Sequence, residues 1–404
     1  MARALRLAMP DAILALNIGS SSLKFGLYEW PADKADPAVL AMGSVRDLHG
    51  RSPRFQAAAP DGTELVDDCG IRGAHIDTVE GLLDWAQMHL GDARLVAVGH
   101  RVVHGGAEFS TPVEIDEPIL ARLEALTPLA PLHQPASLAP IRRITELRPD
   151  LRQIACFDTA FHRQIGPPAN RYALPLAFEA EGIRRYGFHG LSYESIAAQL
   201  AASGERASEA QTSRIIVAHL GNGASLCAMA GLRSVDTTMG FSTLDGLVMG
   251  TRPGALDPGI LLYLMQEKHF SLGQLEELLY KKSGLLGVSG ISADVAALEA
   301  SDAPAAAEAL ELFAFQVARQ SAALAATLGG IDRFIFTGGI GEHSPTVRRM
   351  IVDRLNWLGA KLDEQANNSG ATTISTDTSA VHLERRSTRE ELMIARHVVT
   401  CIRH

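Results

Sequence analysis

Three short segments combine small residues with groups that can hold phosphate. Asn17-Ile18-Gly19-Ser20-Ser21-Ser22-Leu23-Lys24 sets backbone amides, three hydroxyls and one ammonium around a turn. Small side chains let those amides approach an anion, so the composition is that of a phosphate cradle. It is not a Walker A loop: GxxxxGK[ST] is absent, and a strand rather than a helix is expected to follow. Alone, the segment reads equally as a polar hairpin tip. His219-Leu220-Gly221-Asn222-Gly223 repeats the logic, although Asn-Gly is also a favoured hairpin turn. Thr337-Gly338-Gly339-Ile340-Gly341 is the third, followed by Ser344-Pro345, a helix start with Ser at the N-cap and Pro in the first turn. GxGxxG is missing there, so a dinucleotide fingerprint is not supported. One such turn says little; three, each at a strand end, favour a nucleoside triphosphate over coincidence.

The charged candidates lie on similar segments. Arg101, in His100-Arg101-Val102-Val103-His104-Gly105-Gly106, follows a strand and can grip a carboxylate or phosphate in bidentate fashion. His100 and His104 have the i, i+4 spacing of a helical metal pair, but the intervening valines argue for extended chain. Asp158 ends a strand over 153–157, where an α/β sheet places function; a turn aspartate is the alternative. Arg184-Arg185-Tyr186-Gly187-Phe188-His189-Gly190 puts a histidine just ahead of a helix start at Ser192, exposed to a cleft or merely in a loop. Arg252 sits in Met249-Gly250-Thr251-Arg252-Pro253-Gly254, among residues that prevent regular structure.

A scaffold must position these groups. The 404 residues allow about two or three domains with substantial cores. With 47% hydrophobic and 21% charged residues the composition is globular, which excludes a disordered chain. The 36 glycines, about 9% against a usual ~7%, cluster in the segments above. A net charge of −9 disfavours nucleic-acid binding. Cys69, Cys156, Cys227 and Cys401 form no CxxC, which suits a reducing cytosol. No apolar run is long enough for a membrane span, and residues 1–10 read as a short extension rather than a signal peptide. Residues 12–16 and 23–30 read as a hairpin, and 215–218 with 225–229 as a second one. Two such hairpins hint at two related halves. Helical spacing covers 138–147, 193–202, 272–280 and 305–328, and buried strands are expected at 95–98, 153–157 and 333–336. Residues 202–213 and 367–379 read as loops. Strands alternate with helices, so the class is α/β.

Together and in this order, the segments resemble the acetate kinase (acetokinase) family. The likeness extends to Pro131-Leu132-His133-Gln134-Pro135, Phe157-Asp158-Thr159-Ala160-Phe161-His162, residues 236–252 and residues 336–342. It implies the superfamily of acetate and sugar kinases, heat-shock chaperones and actin: two related ribonuclease H-like domains, a central cleft and usually a homodimer. The implied domains are 11–157 with 388–404, holding the acid and magnesium, and 158–387, holding the nucleotide and the dimer contact. The resemblance implies Asn17 and Glu390 as magnesium positions (manganese could substitute), Arg101 as the carboxylate ligand and Asp158 as the catalytic aspartate. His189 and Arg252 would stabilise the transition state. Val103, Leu132, Phe188 and His133 would form the acid pocket. Nucleotide contacts would come from Ser20, Ser22, Lys24, His219, Leu220, Gly221, Asn222, Gly223, Asp294, Val295, Ala296, Gly339, Ile340, Gly341, Glu342 and His343. Three departures stand out: the family's Asp-Phe-Arg reads Asp294-Val295-Ala296, its usual Asn is His343, and a usual Pro is Thr243.

The implied reaction is reversible transfer of the γ-phosphoryl group of ATP to acetate in the cytoplasm, giving acetyl phosphate and ADP. Propionate or another short acid is the alternative substrate. A carboxylate of pKa about 4 is already ionised at neutral pH, so no general base is needed. The difficulty is to join two anions and stabilise spread charge. Asp158 therefore suits magnesium or its waters better than proton removal. A non-catalytic ATP-driven switch of the same superfamily would have no use for Arg101 and Arg252.

Overall fold

The computed structural model describes residues 10–19, 22–30, 36–46, 54–68, 78–203 and 207–403. Ser20, Ser21 and all of the leading segment but Pro10 lie outside the described residues. The chain divides into two compact units, Met1–Ala160 with Arg389–His404, and Phe161–Thr388. The boundary expected from the sequence falls ahead of Asp158. In the structure Asp158 stays with the first unit, because its backbone N–H donates to the Val102 carbonyl at 3.1 Å and its carboxylate binds Arg101.

The first unit is built on strands β1 (Asp11–Ile18), β2 (Ser22–Trp30), β3 (Ala38–Arg46), β4 (Arg54–Ala58), β5 (Glu64–Asp68), β6 (Arg94–Val102), β7 (Val113–Glu114) and β8 (Arg152–Phe157). Their order in one sheet is β5-β4-β3-β2-β1-β6-β8-β7. β1 and β2 form the expected hairpin, with Asn17 opposite Lys24. β1, β6 and β8 run parallel, so their C-terminal ends share one edge of the sheet. Side chains alternate faces along a strand. Ala12, Leu14 and Leu16 enter a core with Phe25, Phe55 and Trp85, which leaves Ile13, Ala15 and Asn17 on the opposite face. The helix Glu390–Arg403 covers that face. Gly99 is what admits it: a Cβ there would lie 2.4 Å from Ile394 Cγ2. Two residues on, Arg101 points to the same face as Gly99.

The second unit repeats the plan. Its strands are β9 (Arg214–Leu220), β10 (Ala224–Ala230), β11 (Arg233–Thr237), β12 (Arg333–Thr337) and β13 (His382–Arg385), in the order β11-β10-β9-β12-β13. β9 pairs antiparallel with β10 and parallel with β12, as β1 does with β2 and β6. The order β3-β2-β1-β6-β8 is thus reproduced strand for strand. One face of this sheet packs Ile215, Val217, Cys227 and Ile335 against Tyr193, Ile196 and Leu200 of the helix Gly190–Ala201. The 25-residue helix Pro304–Leu328 lies against β9 and β10.

The helices and strands read from periodicity are present; Gln134–Leu147 begins a turn earlier than expected, and Leu272–Lys281 and Pro304–Leu328 are each one residue longer. Two expected loops contain short helices, Ala207–Thr212 in the first and Glu364–Ser369 running into the second. In the latter, Asp363 caps the Ala366 N–H at 2.9 Å, and Gly370 ends the helix in the left-handed conformation. Small polar residues serve there as caps, not as loop.

Candidate active site

At the shared end of β1, β6 and β8, five side chains converge. Asp158, 1% exposed, accepts from Arg101 Nε at 2.8 Å and also from Nη2. Arg101 Nη1 donates to Asn17 Oδ1 at 3.3 Å. Asn17 Nδ2 in turn donates to Glu390 Oε2 at 2.8 Å and to Glu391 Oε1 at 3.0 Å. Because Arg101 can only donate, the Asn17 amide has one possible orientation. Burial opposes the charge on Arg101, but Asp158 more than offsets it, and the guanidinium is held above its ordinary pKa. Burial, together with the charge of Glu390, pushes the Glu391 carboxyl above the usual carboxylate range, and Lys24 acts against that rise. Three of the five guanidinium N–H groups of Arg101 are committed to protein, so two remain for a carboxylate.

The chain after Arg101 is pinned from below. The buried Gln134 accepts from the His104 N–H at 3.2 Å and donates to the His104 and Leu123 carbonyls. Gly105 N–H donates to Thr159 Oγ1 at 3.1 Å. His100 instead binds Gln153, and His104 Nδ1 accepts from Gly106 N–H, so the two histidines do not pair around a metal. Val103 is buried, whereas Leu132 is 46% exposed and His133 half-buried at the N-cap of the helix Gln134–Leu147.

The second unit puts glycine where the first puts charge. Thr337 pairs with His219, so the turns following β9 and β12 are neighbours, and the Gly339 N lies about 4.0 Å from the Cβ position of Gly221. Gly338 has φ +77°, and a Cβ there would stand 2.7 Å from the Leu220 carbonyl oxygen. This third turn, read as a loop, is a short helix, Gly338–His343. The buried Arg348 holds its end by donating to the Gly341 and Glu342 carbonyls at 2.9 and 3.0 Å. Burial, with Arg385 nearby, pulls the Arg348 pKa down to about 10. Asn222 is exposed at the tip of the β9–β10 turn, and its carbonyl accepts from Gly250 N–H at 3.1 Å. That bond ties the Arg252 loop to the turn. Arg252 Nη1 donates to the Thr243 carbonyl at 3.0 Å. Gly284, at φ +64°, lets the helix Gly284–Ser289 pass the Met249 carbonyl, which would lie 2.1 Å from any Cβ.

His189 caps the helix Gly190–Ala201 with φ 59°, ψ 27°. That left-handed conformation costs roughly 1–2 kcal/mol outside glycine, and such strain gathers at functional sites. The preceding Phe188 carbonyl is fixed by His162 Nε2 at 2.9 Å. The His189 ring stacks on His219 with centroids 4.3 Å apart, and its Nε2 faces Gly223, 3.3 Å from the Cβ position.

The sequence-derived residues thus fall into two sets. Asn17, Lys24, Arg101, Asp158 and Glu390 meet in the first unit; His189, His219, Gly221–Gly223, Gly339–Glu342 and Arg252 surround one sheet end in the second. Several enter differently than expected. Ser22 contributes its carbonyl, which accepts from Gly19 N–H at 2.8 Å. Leu220 and Val295 are buried and offer backbone only. Asp294 caps the helix Val295–Glu299 by accepting from Ala296 N–H at 3.0 Å, and Ala296 is exposed beside it. Phe188 is 1% exposed, a support beneath His189. Ser20 lies outside the described residues. Sequence reasoning passes over Glu391, Gln134, His162, Tyr193, Ser225 and Arg348. The acid pair Glu390-Glu391 at a helix start is a readable signal for the first of these; the others look like ordinary core or surface residues until strands are paired.

The model of the Acetokinase family matches residues 12–396. An acetate kinase of Rhodopseudomonas palustris (strain TIE-1) is 48% identical over 394 residues, 96% of this chain and 98% of that one. Among solved structures, the acetate kinase of Porphyromonas gingivalis aligns with TM-score 0.81 and 35% identity over 97% of this chain and 100% of its own. A propionate kinase from Francisella tularensis aligns with TM-score 0.85 and 37% identity over 96% and 98%.

Proposed function

The chain belongs to the acetokinase family, and from that premise we propose that it is an acetate kinase. It moves the γ-phosphoryl group of ATP directly to a carboxylate oxygen of acetate, reversibly, giving acetyl phosphate and ADP. The observation that carries this reading is Arg101, half-buried at a strand end, gripped by Asp158 through Nε and Nη2, with two N–H groups left for an acid. Asp158 is then a positioning residue: it sets the guanidinium and takes no proton. Val103 and Leu132 limit the space for the methyl group.

The nucleotide phosphates are held by backbone N–H groups of Asn222-Gly223 and Gly339–Glu342, the Gly221 N–H being taken by the Gly223 carbonyl at 3.1 Å. His189 and Arg252 oppose the charge that spreads over the transferring group. Among the described residues no group of three or more His, Cys, Asp or Glu could hold a metal alone. Glu390 and Glu391 offer carboxylate oxygens of the kind magnesium takes when phosphate oxygens complete its shell, so they fit it, while Asn17 holds them through its amide nitrogen. When bound, magnesium neutralises phosphate charge.

A second reading, propionate as the acid, is supported by the likeness to the propionate kinase and by Thr243 in place of a usual proline. One methylene is worth about 1–3 kcal/mol in a pocket, enough to set a preference. The helix Pro258–Gln266 contains no buried residue yet leaves Ile260, Leu262, Tyr263 and Met265 between 45 and 57% exposed. Such a patch supports a homodimer. No described helix is long and apolar enough to cross a membrane. Among the described residues Cys156, Cys227 and Cys401 form no disulfide, which supports a cytoplasmic location.

A hydroxamate assay tests the reading. Acyl phosphate is measured with acetate, propionate and butyrate, each against ATP, GTP and pyrophosphate. Acetate with ATP is expected to give the highest kcat/KM. Higher kcat/KM with propionate would establish the second reading, and no acyl phosphate from any pair would overturn both.

A further inference from the structure

His189 is embedded in a chain of hydroxyls that nothing above explains. Its Nδ1 lies 2.8 Å from Ser225 Oγ, and Ser225 Oγ lies 2.5 Å from Tyr193 Oη. Ser225 and Tyr193 are both fully buried. The fold delivers them together: Ser225 is two residues before Cys227 on the β10 face that packs under the helix Gly190–Ala201, and Tyr193 is one turn past His189 in that helix.

Each hydroxyl has a single hydrogen, so the chain runs in one of two directions. If it starts at His189, Nδ1–H donates to Ser225, Ser225 donates to Tyr193, and the Tyr193 hydrogen needs an acceptor. Among the described residues the one hydrogen bond of Tyr193 Oη is with Ser225 Oγ. That direction strands a buried hydroxyl hydrogen, at a cost of roughly 1–3 kcal/mol. If it starts at Tyr193, every hydrogen finds an acceptor: Tyr193 donates to Ser225, and Ser225 donates to Nδ1. The stacked His219 ring, 4.3 Å away, adds to the case, because two imidazolium rings at that separation repel. His162 below follows the same logic. A carbonyl cannot donate, so His162 Nε2 carries the hydrogen it gives to Phe188, and Nδ1 accepts from Ser234 Oγ at 2.8 Å.

We infer that Tyr193 and Ser225 are positioning residues that hold His189 as a neutral imidazole with its hydrogen on Nε2, making it a hydrogen-bond donor rather than a charge or a base. The inference rests on the proposed role of His189 opposite the transferring phosphoryl group. The strained backbone of His189 fixes where the ring stands; the relay fixes which nitrogen donates.

The ¹⁵N spectrum of histidine-labelled protein tests this without turnover, the His189 signals being identified by their loss in His189→Gln. The expected result is an unprotonated, pyridine-like Nδ1 and a protonated Nε2 at neutral pH. Ser225→Ala is expected to mix the tautomers and to lower kcat roughly 10- to 100-fold, the usual effect of losing a histidine's supporting partner, with both KM values changed less than about threefold. Ser225→Thr keeps the hydroxyl and is expected to restore the tautomer and most of kcat. Tyr193→Phe removes only one buried oxygen and serves should Ser225→Ala fail to fold; it is expected to shift the same signals with a smaller drop in kcat. Protonation of Nδ1 in the wild type, or unchanged His189 signals in Ser225→Ala or Tyr193→Phe, would overturn the inference. Wild-type protein that makes no acyl phosphate would overturn the proposed function instead and leave the tautomer measurement intact.

Discussion

The same five-strand order supports both units, yet the equivalent strand ends carry opposite chemistry. The ends of β1, β6 and β8 bear Asn17, Arg101 and Asp158, side chains that reach and pair. The ends of β9 and β12 bear Gly221–Gly223 and Gly338–Gly341, where side chains are absent and backbone is close. With the acid assigned to the first set and the nucleotide to the second, as proposed, the size of the two substrates accounts for this. A short carboxylic acid has one polar handle, so its site needs a concentrated, oriented charge. A nucleotide's phosphates present many oxygens along a chain, and backbone amides can follow them only where no Cβ intervenes. Arg252 breaks the pattern, because it is a cation held on the glycine side.

That exception carries the largest expected effect. If Arg252 faces charge that forms only during transfer, Arg252→Ala lowers kcat by roughly 10²–10⁵ with modest change in either KM. Steady-state kinetics in the acetyl phosphate-forming direction measure it. A kcat within about fivefold of wild type would place Arg252 among the structural residues of its loop.

The buried histidines separate the units in another way. Burial pulls His100 and His104 in the first unit, and His162 in the second, from 6.5 down to about 4. As pH falls through 6.5 the unfolded imidazoles take up protons while the folded ones do not. Stability is therefore full above 6.5 and is lost as pH drops toward 4, on the order of 3 kcal/mol per group. With two such groups against one, the first unit is expected to lose hydrogen-exchange protection at the higher pH. Loss of protection in Phe161–Thr388 first would show that these histidines do not set the order.

Arg101→Ala is the counterpart of the Arg252 test. Loss of a charged hydrogen-bonding partner, worth about 1.5–3 kcal/mol, raises the KM for acetate roughly 10- to 100-fold and leaves the KM for ATP nearly unchanged. A rise confined to the ATP KM would mean that Arg101 serves phosphate, and the division of labour between the strand ends would fail.

Much of this plan is legible in the amino-acid sequence. Hairpins at β1–β2 and β9–β10 follow from apolar runs around Gly/Ser and Asn-Gly turns, and Arg101 and Asp158 stand out because they end apolar strands. What stays hidden depends on pairing between distant segments. Tyr193 and Ser225 are 32 residues apart and ordinary singly; only the packing of the helix Gly190–Ala201 on β10 joins them. Arg348 reads as a surface residue of an amphipathic helix, yet its guanidinium is buried and bonded to Asn367 as well as to the nucleotide-side helix end. Asp158 falls on the other side of the expected boundary because a domain boundary is set by contacts, which composition does not record.

Asp294 gives the smallest and most discriminating test, since a carboxylate that touched nucleotide would put a working side chain on the backbone side of the comparison. Its Oδ1 accepts from Ala296 N–H at 3.0 Å, with N-cap φ −95° and ψ 123°. Asp294→Ala should therefore cost about 0.5–2 kcal/mol of stability, read as a small drop in Tm. Asp294→Asn keeps a capping oxygen and should cost less than Ala does. In both variants the KM for ATP is expected to stay within about threefold of wild type. A rise of more than tenfold in both variants, with Tm unchanged, would mean that the Asp294 carboxylate meets the nucleotide directly. The glycine turns would then share that work with a charged side chain.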